Sequence, residues 1–467
     1  MAKMQTKQSH AAKVKGKLDH PIIDSDGHII EFTPVLLEYI RREGGAKAAA
    51  KYAATPVKRQ FSLTDDQGAP GGTPTAWVWP AKNTRDRATA GLPRLLMERL
   101  EEFGFDFAIM YPSEGLAPPH LEDDEQRTIA SRAYNRMVMD LFGKWPDRMT
   151  PVAVIPMHNP KEAVAEMEHA VTTLGFKTIV VRAYVRRQVN GREIVDVLGL
   201  HSQHDYDPFW AKCVELKVAP TFHSAAMWGP RQVPNYDYMH IGALATGNEA
   251  IAKALFMGGV TRRFPQLNFA FLEGGVAWGC QLYADLVSHW EKRGRHAIDY
   301  LDPNNLDVAL MLDLVDRYGD GVISEKRKEL QAMFSRRQQH PTQLDDFAAA
   351  KISRREDVRN LYVPRFFFGC EADDPMNAYA FNRKVNPMDA ALRAIMGSDI
   401  GHWDVPQMNE VLEEAWEQVE HGLIGKDDFR DFAFANTVRL HGRVNPDYFK
   451  GTAVEHEAAQ VLKAGTL

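Results

Sequence analysis

At four points in the chain, an acidic residue, a histidine or both lie within or just after a short apolar run. Asp26 and His28 lie in DSDGH, and His223 ends APTFH. Glu273 follows LNFAFL, and Asp399 ends the segment MGSD. Carboxylate oxygens and imidazole nitrogens are ligands that Zn²⁺, Mn²⁺ and Fe²⁺ accept. The two residues of the first segment, with His223 and Asp399, would form a metal site that keeps one position open for water.

Each of these residues also has an ordinary structural interpretation. The Asp-Gly pair at Asp26 is a turn signal, and Asp399 or Glu273 could cap the helix that follows it. A single histidine such as His223 is often a hydrogen-bonded core residue. The spacing alone leaves both interpretations open.

These residues can meet only if the fold brings the ends of their apolar runs together. Eight runs of four to eight residues alternate with longer helical patterns such as 160–174. The runs are 21–24, 105–111, 151–157, 177–184, 219–223, 267–272, 365–369 and 392–396. Near-continuous apolarity over this length is typical of parallel strands buried on both faces. The pattern predicts an α/β fold, a (β/α)₈ barrel of the TIM type, with a doubly wound open sheet as the alternative.

In a barrel of this type the active site lies at the C-terminal ends of the strands. All four segments with acidic residues or histidines occupy such ends. Residues two apart on a strand share a face, so Asp26 and His28 can both point into the barrel mouth.

The 467 residues predict one large domain with insertions. We expect a disordered basic tail at 1–20, a single metal-dependent barrel domain at 21–448 and a helical tail at 449–467. The barrel needs only about 250 residues, which leaves insertions at about 43–92 and 300–362. These insertions could form a lid or a subunit interface.

Composition excludes several classes of protein. The net charge of −6 gives no reason to expect a nucleic-acid partner. No run of about 18 apolar residues is present, so we expect no membrane span. The three cysteines are far apart and odd in number, which argues against a disulfide framework and predicts a reducing, cytoplasmic location.

Four segments, in order, resemble the amidohydrolase superfamily, in the branch that includes aminocarboxymuconate-semialdehyde decarboxylase and γ-resorcylate decarboxylase. They are DSDGHIIEF, PFW with APTFHSA, FLEGGVAW and MGSDIGHWD, and the resemblance covers roughly 21–448. It implies that Asp26 and His28 take the family's acid-x-His position in the first strand. His223 matches the strand-five ligand. Asp399 matches the strand-eight aspartate that binds metal and handles a proton.

The sequence departs from the family pattern at the end of strand six. Many relatives, including the decarboxylases, have a histidine there, whereas this chain has Glu273. A carboxylate cannot donate a hydrogen bond unless it is protonated, but it could orient a ligand or bind a second metal. The bridging lysine of binuclear relatives also has no match. The departure favours hydrolysis over decarboxylation.

We therefore expect a metal-dependent hydrolase in which activated water attacks an amide, ester, thioester or lactone carbonyl of a small organic acid. Asp399, His223 and Glu273 are the predicted catalytic residues. Zinc is the expected metal, with manganese or iron as alternatives, at one ion per chain or two. The alternative function is non-oxidative decarboxylation of an aromatic or unsaturated carboxylate. A barrel that binds ligand without catalysis is a third hypothesis, which the complete ligand set opposes.

Four further residues are predicted to bind substrate. Arg182 ends strand four, where a guanidinium could hold a substrate carboxylate. His204 lies on the loop before Pro208, and Trp228 and His402 follow strands five and eight. His158, just past strand three, is expected to be structural. The resemblance also implies a homodimer or a higher homo-oligomer.

Overall fold

The computed structural model describes residues 10–55, 82–223, 237, 240–294, 297–336 and 344–465. Trp228, one of the predicted substrate-binding residues, lies outside the described residues. So does much of the predicted insertion at 43–92.

Eight parallel strands form the core of the molecule. They are β1 (Ile23–Ile29), β2 (Phe107–Pro112), β3 in two segments (Met149–Pro151 and Ala153–Ile155), β4 (Ile179–Val181), β5 (Pro220–Phe222), β6 (Phe269–Phe271), β7 (Phe366–Glu371) and β8 (Arg393–Gly397). Every one of the eight predicted runs overlaps one of these strands. Most strand residues are buried, as expected for a parallel sheet covered on both faces.

The strands pair in chain order and close into a barrel. The first segment of β3 pairs with β2, and its second segment pairs with β4. The remaining strands follow in order to β8. The ring closes where the Asp399 N–H donates to the Asp26 carbonyl at 3.0 Å and the His28 N–H donates to the Ile400 carbonyl at 3.2 Å. The prediction of a TIM-type barrel is therefore confirmed, and the doubly wound alternative is excluded.

Helices surround the barrel and fill the insertions. Their bounds are His10–Lys15, Thr33–Ala53, Thr84–Gly91, Pro93–Phe103, Asp124–Phe142, Pro160–Glu168, Asp207–Leu216, Ala243–Met257, Val260–Arg263, Ala277–Arg293, Val308–Tyr318, Val322–Glu325, Arg327–Phe334, Arg355–Tyr362, Ala378–Phe381, Val411–Glu420, Lys426–Arg430, Asn436–Gly442 and Glu455–Lys463. No helix among the described residues is long and apolar enough to cross a membrane.

The helix after β3 shows how local sequence sets the boundaries. Pro160 occupies its first turn, and the Asn159 side chain accepts a hydrogen bond from the Glu162 N–H. The helix widens into a π-turn at His169–Leu174 and ends at Gly175, whose φ is 85°. A left-handed glycine is the usual residue just past a helix C-terminus, so the predicted end of the helix is confirmed.

An antiparallel hairpin that the sequence analysis did not identify follows β4. Its strands are Val185–Val189 and Arg192–Asp196, joined at Asn190 and Gly191. Both turn residues have positive φ, 52° and 74°. Asn-Gly is the preferred pair for the two-residue turn that such hairpins use, so a local signal was present.

The prediction of a disordered tail at 1–20 is wrong from residue 10 onward. His10–Lys15 is helical, and Ala11 and Val14 are buried. The Asp106 carboxylate accepts a hydrogen bond from the Ile22 N–H at 2.7 Å and also contacts the Lys15 ammonium. These contacts fix the segment beside the start of β1, although its composition is polar and basic.

The predicted C-terminal helix is present as Glu455–Lys463, with Ala458 and Val461 buried. The predicted insertion at 300–362 contains short helices, and most residues of its first part, from Tyr300 to Phe334, are exposed. All three cysteines are free and buried.

Candidate metal centre

The mouth of the barrel gathers the acidic residues and histidines from four strand ends. His28 lies at the centre of this cluster. Its Nε2 is 3.2 Å from His223 Nε2, 3.3 Å from Asp399 Oδ1, 3.6 Å from Asp26 Oδ1 and 3.8 Å from Glu273 Oε2. His223 Nε2 in turn lies 2.8 Å from Glu273 Oε2. The structure thus brings together all five predicted metal ligands.

Irregular backbone aims these side chains into the mouth. The pairing of β1 with β2 shifts register between Asp24 and Gly27, and such bulges re-aim the residues within them. Glu273 and Asp399 have φ values of 52° and 47°. This left-handed region is uncommon for residues other than glycine, and it is concentrated at functional sites.

Asp24 positions the end of β8. Its Oδ2 accepts a hydrogen bond from the Ser398 hydroxyl at 2.6 Å, and its Oδ1 accepts one from the Ser398 N–H at 3.0 Å. Gly397 gives the close approach that this contact needs, because a Cβ there would lie 2.9 Å from the Asp26 Cβ. The first and last strands therefore hold Asp26 and Asp399 side by side.

The cluster is buried, and three of its carboxylate oxygens lack a hydrogen bond of good geometry. His28 is fully buried, and Asp26 and Asp399 each expose 4% of their side chain. Asp26 Oδ1 and both carboxylate oxygens of Asp399 receive no well-directed hydrogen bond. Buried carboxylate oxygens without donors are costly unless a cation compensates them. The chemistry of this donor set fits a divalent metal ion.

The electrostatics of the cluster agree with this interpretation. Burial raises the pKa of Asp26 well above its usual range, although His223 opposes the rise. Burial also raises the pKa of Asp399, reinforced by the charges of Glu273 and its other acidic neighbours. For Glu273 burial is outweighed by His223, and the pKa falls well below its usual range. Burial lowers the pKa of His28, which keeps the imidazole neutral and able to bind a metal.

The donor atoms form overlapping groups. Each of three sets lies within 4.8 Å, namely Asp26 with His28 and His223, His28 with Glu273, Asp399 and His402, and Glu371 with Asp399 and Asp404. The first two sets share His28, and the last two share Asp399. Donors are therefore available for more than one ion.

The predicted substrate-binding residues occupy different places. His402 joins the cluster, with its Nδ1 2.6 Å from Asp399 Oδ1. Arg182 is buried just past the end of β4. His204 is exposed, and its ring lies against Tyr206 at 6.4 Å between centroids. The structure does not bring His204 to the cluster.

Sequence reasoning missed several residues of the cluster. His240 Nε2 lies 3.4 Å from Glu273 Oε1. The Ser113 hydroxyl bridges two rings, at 3.3 Å from His28 Nδ1 and 3.0 Å from His402 Nε2. Ser113 directly follows β2 and Glu371 ends β7, so the strand-end rule that found the other residues applies to both. His240 lies far beyond β5, and no local signal marks it.

A buried carboxylate supports the loop that carries Ser113. Glu31 accepts hydrogen bonds from the backbone N–H groups of Ser113, Glu114 and Gly115 at 3.3, 2.9 and 3.1 Å. It also accepts one from the Tyr134 hydroxyl at 2.8 Å. Four donors on one side chain fix this loop beside the cluster.

The chain is similar to known proteins in both sequence and fold. Residues 106–303 match a family model described as amidohydrolase. A solved amidohydrolase from Mycobacterium avium subsp. paratuberculosis K-10 shares the fold at a TM-score of 0.53 and 16% identity, over 91% of this chain and 98% of that one. A 2,6-dihydroxybenzoate decarboxylase solved with 2,6-dihydroxybenzoate gives a TM-score of 0.48 at 14% identity, over 90% and 98% of the two chains.

A curated relative matches a shorter stretch. The decarboxylase orsB of Emericella nidulans is 35% identical over 86 residues, which is 18% of this chain and 23% of that protein. The family match at 106–303 runs from the start of β2 through β6 and includes the strand ends that carry His223 and Glu273. The chain is therefore similar to amidohydrolases over residues 106–303, and it shares the barrel fold of a solved amidohydrolase.

Proposed function

We propose that the protein is a metal-dependent hydrolase that cleaves an amide, ester, thioester or lactone bond of a small organic acid. The observation that carries this proposal is the number of carboxylates in the cluster. Asp26, Glu273 and Asp399 all lie within 3.8 Å of the His28 ring. Where these carboxylates are ionised, as metal binding requires, their negative charge would oppose a substrate carboxylate placed among them, which decarboxylation needs. A neutral carbonyl and a water molecule meet no such repulsion.

The residues that would hold the metal are Asp26, His28 and His223, with Glu273 and Asp399 adjacent. A divalent ion, when bound, would polarise a carbonyl oxygen and lower the pKa of a water molecule. Zinc is the ion we expect first, and this mixed nitrogen and oxygen donor set also accepts manganese or iron.

Asp399 is the residue we assign to proton transfer. It would accept a proton from the attacking water and later donate it to the leaving group. Its buried position beside Glu273 raises its pKa, which makes it a better proton acceptor than an ordinary aspartate. His402, whose pKa is lowered to about 4 by burial, is neutral at pH 7 and holds Asp399 through the 2.6 Å contact.

Glu273 and His223 would act as a pair. Their contact of 2.8 Å fixes the orientation of the imidazole toward the cluster. His240 contacts the other oxygen of Glu273 and so anchors the carboxylate from the opposite side. A glutamate held by two histidines orients ligands and does not donate a proton.

Decarboxylation is the second candidate function. The similarity to decarboxylase orsB over 86 residues favours it. In that reaction Asp399 would deliver its proton to the substrate carbon that loses CO₂. The same residues would carry out either reaction. Hydrolysis adds the oxygen of water to the product, and decarboxylation does not.

Isotope incorporation separates the two reactions. The metal-loaded protein is incubated in ¹⁸O-water with a panel of carboxylate-bearing esters, lactones and amides and, separately, with hydroxybenzoates. Hydrolysis places one ¹⁸O atom in the product acid, whereas decarboxylation releases CO₂ and places solvent hydrogen on carbon. Release of CO₂ with no ¹⁸O in any product acid would overturn the hydrolase proposal.

The variant Asp399→Asn should lose at least a hundredfold in turnover while keeping its fold, because asparagine cannot accept the proton. Asp320→Asn is the matched control, since Asp320 is exposed and belongs to none of the three donor groups. Full activity of Asp399→Asn would contradict the role assigned to Asp399.

A further inference from the structure

We propose that Arg182, with His120 and His158, forms a carboxylate-binding subsite beside the metal cluster. The substrate would then carry a free carboxylate that does not react, held beside the metal cluster and separate from the scissile bond. This inference rests on the proposed function, because it concerns the substrate of the same site. It narrows the substrate class to organic acids whose carboxylate is separate from the hydrolysable group.

Arg182 is a buried cation that forms no ion pair with any residue in the described ranges. It is 8% exposed. Its Nη1 donates one long hydrogen bond, of 3.3 Å, to the Pro119 carbonyl, and its Nε is buried without an acceptor. No carboxylate among the described residues lies within ion-pair distance of it. A guanidinium carries five N–H donors, and a buried Nε–H without an acceptor is costly unless a ligand completes it.

Two neighbouring arginines show what a structural arginine looks like here. Arg127 makes paired hydrogen bonds to both oxygens of Glu162, at 2.8 and 2.9 Å. Arg187 lies 2.6 Å from Asp196 and 2.8 Å from the Tyr206 hydroxyl. Each of these arginines pairs with a carboxylate, whereas Arg182 pairs with none in the part of the chain that the structure describes.

The strand register places Arg182 on the interior side of the barrel. The pairing of β4 with β5 joins Val180 to Thr221 and Val181 to Phe222. Continuing that register by one residue places Arg182 opposite His223, just past the recorded pairs. Thr221 faces the interior, because its hydroxyl oxygen accepts a hydrogen bond from the Tyr111 hydroxyl of β2 at 3.1 Å. Side chains two residues further on share that face, so Arg182 leaves its strand beside His223.

Three strand ends supply this subsite, and none of them supplies the predicted metal ligands. His120 lies in the turn Pro118–His120 after β2, and His158 follows β3. His158 Nδ1 is also buried without a hydrogen-bond partner. The mouth is therefore divided into an acidic half, from β1, β5, β6 and β8, and a half with unused donors, from β2, β3 and β4.

The charge of the subsite favours a carboxylate over a phosphate. Burial lowers the pKa of Arg182 to about 10, so the guanidinium stays charged at neutral pH. Burial, with the charge of Arg182, holds the pKa of His120 well below its usual range. Burial also lowers the pKa of His158 to about 3. Both imidazoles are neutral donors, so the subsite offers one positive charge and a planar fork, which matches a carboxylate.

Titration calorimetry with benzoate tests the subsite. Benzoate is titrated into the metal-loaded protein and into the same protein after chelation, with inorganic phosphate and benzamide as comparison probes. We expect benzoate to bind in both states and more tightly than phosphate or benzamide. Arg182→Gln should weaken benzoate at least tenfold, and Arg182→Lys should weaken it less, because lysine keeps the charge without the fork. Arg186→Gln is the matched control, since it removes a nearby positive charge that is paired with Glu193.

Thermal unfolding without ligand supplies the second measurement. A purely structural Arg182 would make Arg182→Gln less stable, whereas an arginine held unpaired for a ligand predicts equal or higher stability. The inference is overturned if Arg182→Gln binds benzoate as wild type does, if binding disappears on chelation, or if the variant fails to fold. Benzoate binding does not depend on catalysis. If the ¹⁸O experiment overturned the hydrolase proposal, the calorimetry would still show whether Arg182 binds a carboxylate.

Discussion

At the scale of single residues, the candidate metal centre depends on contacts that leave no room for change. Gly397 is one such position. A Cβ built there lies 2.9 Å from the Asp26 Cβ and 3.4 Å from the Cys370 carbonyl oxygen. The first distance is shorter than carbon atoms tolerate, and neither neighbour is the far end of a flexible chain. A methyl group at this point would displace Asp26 from His28.

We therefore predict that Gly397→Ala lowers the bound metal per chain and the turnover by at least tenfold, with the barrel still folded. Elemental mass spectrometry and circular dichroism measure the two properties. Gly425→Ala is the control, because a Cβ there meets only Asp428 Oδ2, at 3.4 Å. Unchanged metal content in Gly397→Ala would show that Asp26 is not a ligand.

The site residues that the sequence predicted share one property, which the missed residue His240 lacks. Asp26, His28, His223 and Asp399 stand at strand ends in segments whose residue types already suggest metal binding. Their approach within a few ångströms follows from barrel closure, which apolar runs predict. His240 reaches Glu273 through a long connection after β5, and connection length does not determine where a side chain points. His204 was expected over the mouth on the same kind of argument and is exposed instead.

At the scale of elements, the loop after β2 is fixed by one buried glutamate. Burial, reinforced by Glu114, raises the pKa of Glu31 from 4.5 to about 7. The folded protein then keeps a proton that the unfolded chain releases above about pH 4.5. The free energy of unfolding should therefore fall as the pH rises from 4.5 to 7, by up to about 1.4 kcal/mol per pH unit from this group.

Glu31→Gln should lower the free energy of unfolding at pH 5 by about 1–3 kcal/mol, because an amide nitrogen would face a backbone N–H donor. The difference from wild type should shrink between pH 5 and pH 8, since only the wild type pays for ionisation over that range. Urea unfolding at both pH values measures it. Glu38→Gln, on an exposed helical face, should show little effect. A difference that stays constant would mean that Glu31 is ionised throughout.

Strands and helices were predictable where burial of apolar side chains determines the structure. They were not predictable where contacts with residues distant in sequence determine it. The eight strands follow from apolar runs that only a two-sided sheet can bury. The helix at His10–Lys15 is six residues long and basic. Its order comes from packing of Ala11 and Val14 and from Asp106, which is distant in sequence. The hairpin after β4 had the Asn190-Gly191 turn signal. Its strands are rich in polar residues, so the sequence pattern did not distinguish them from a loop.

At the scale of the whole molecule, the mouth separates opposite charges. Carboxylates from β1, β6 and β8 surround His28, while the buried guanidinium of Arg182 follows β4. A substrate with a neutral scissile group and a remote carboxylate fits this division. The acidic half also places a strain on the fold, because three carboxylates lie within 3.8 Å of one buried ring. A bound cation would relieve that repulsion and stabilise the barrel as a whole.

We therefore predict that removing divalent metal with a chelator lowers the melting temperature, and that zinc or manganese restores it. Linkage sets the size of the effect, about 4 kcal/mol when free metal exceeds its dissociation constant a thousandfold. His28→Gln should abolish the metal-dependent shift, because His28 is shared by two of the donor groups. His421→Gln, at an exposed position, should preserve it. A melting temperature that ignores both chelator and added metal, in a protein that retains no ion, would mean that these carboxylates are stabilised by shared protons and that the barrel does not use a metal.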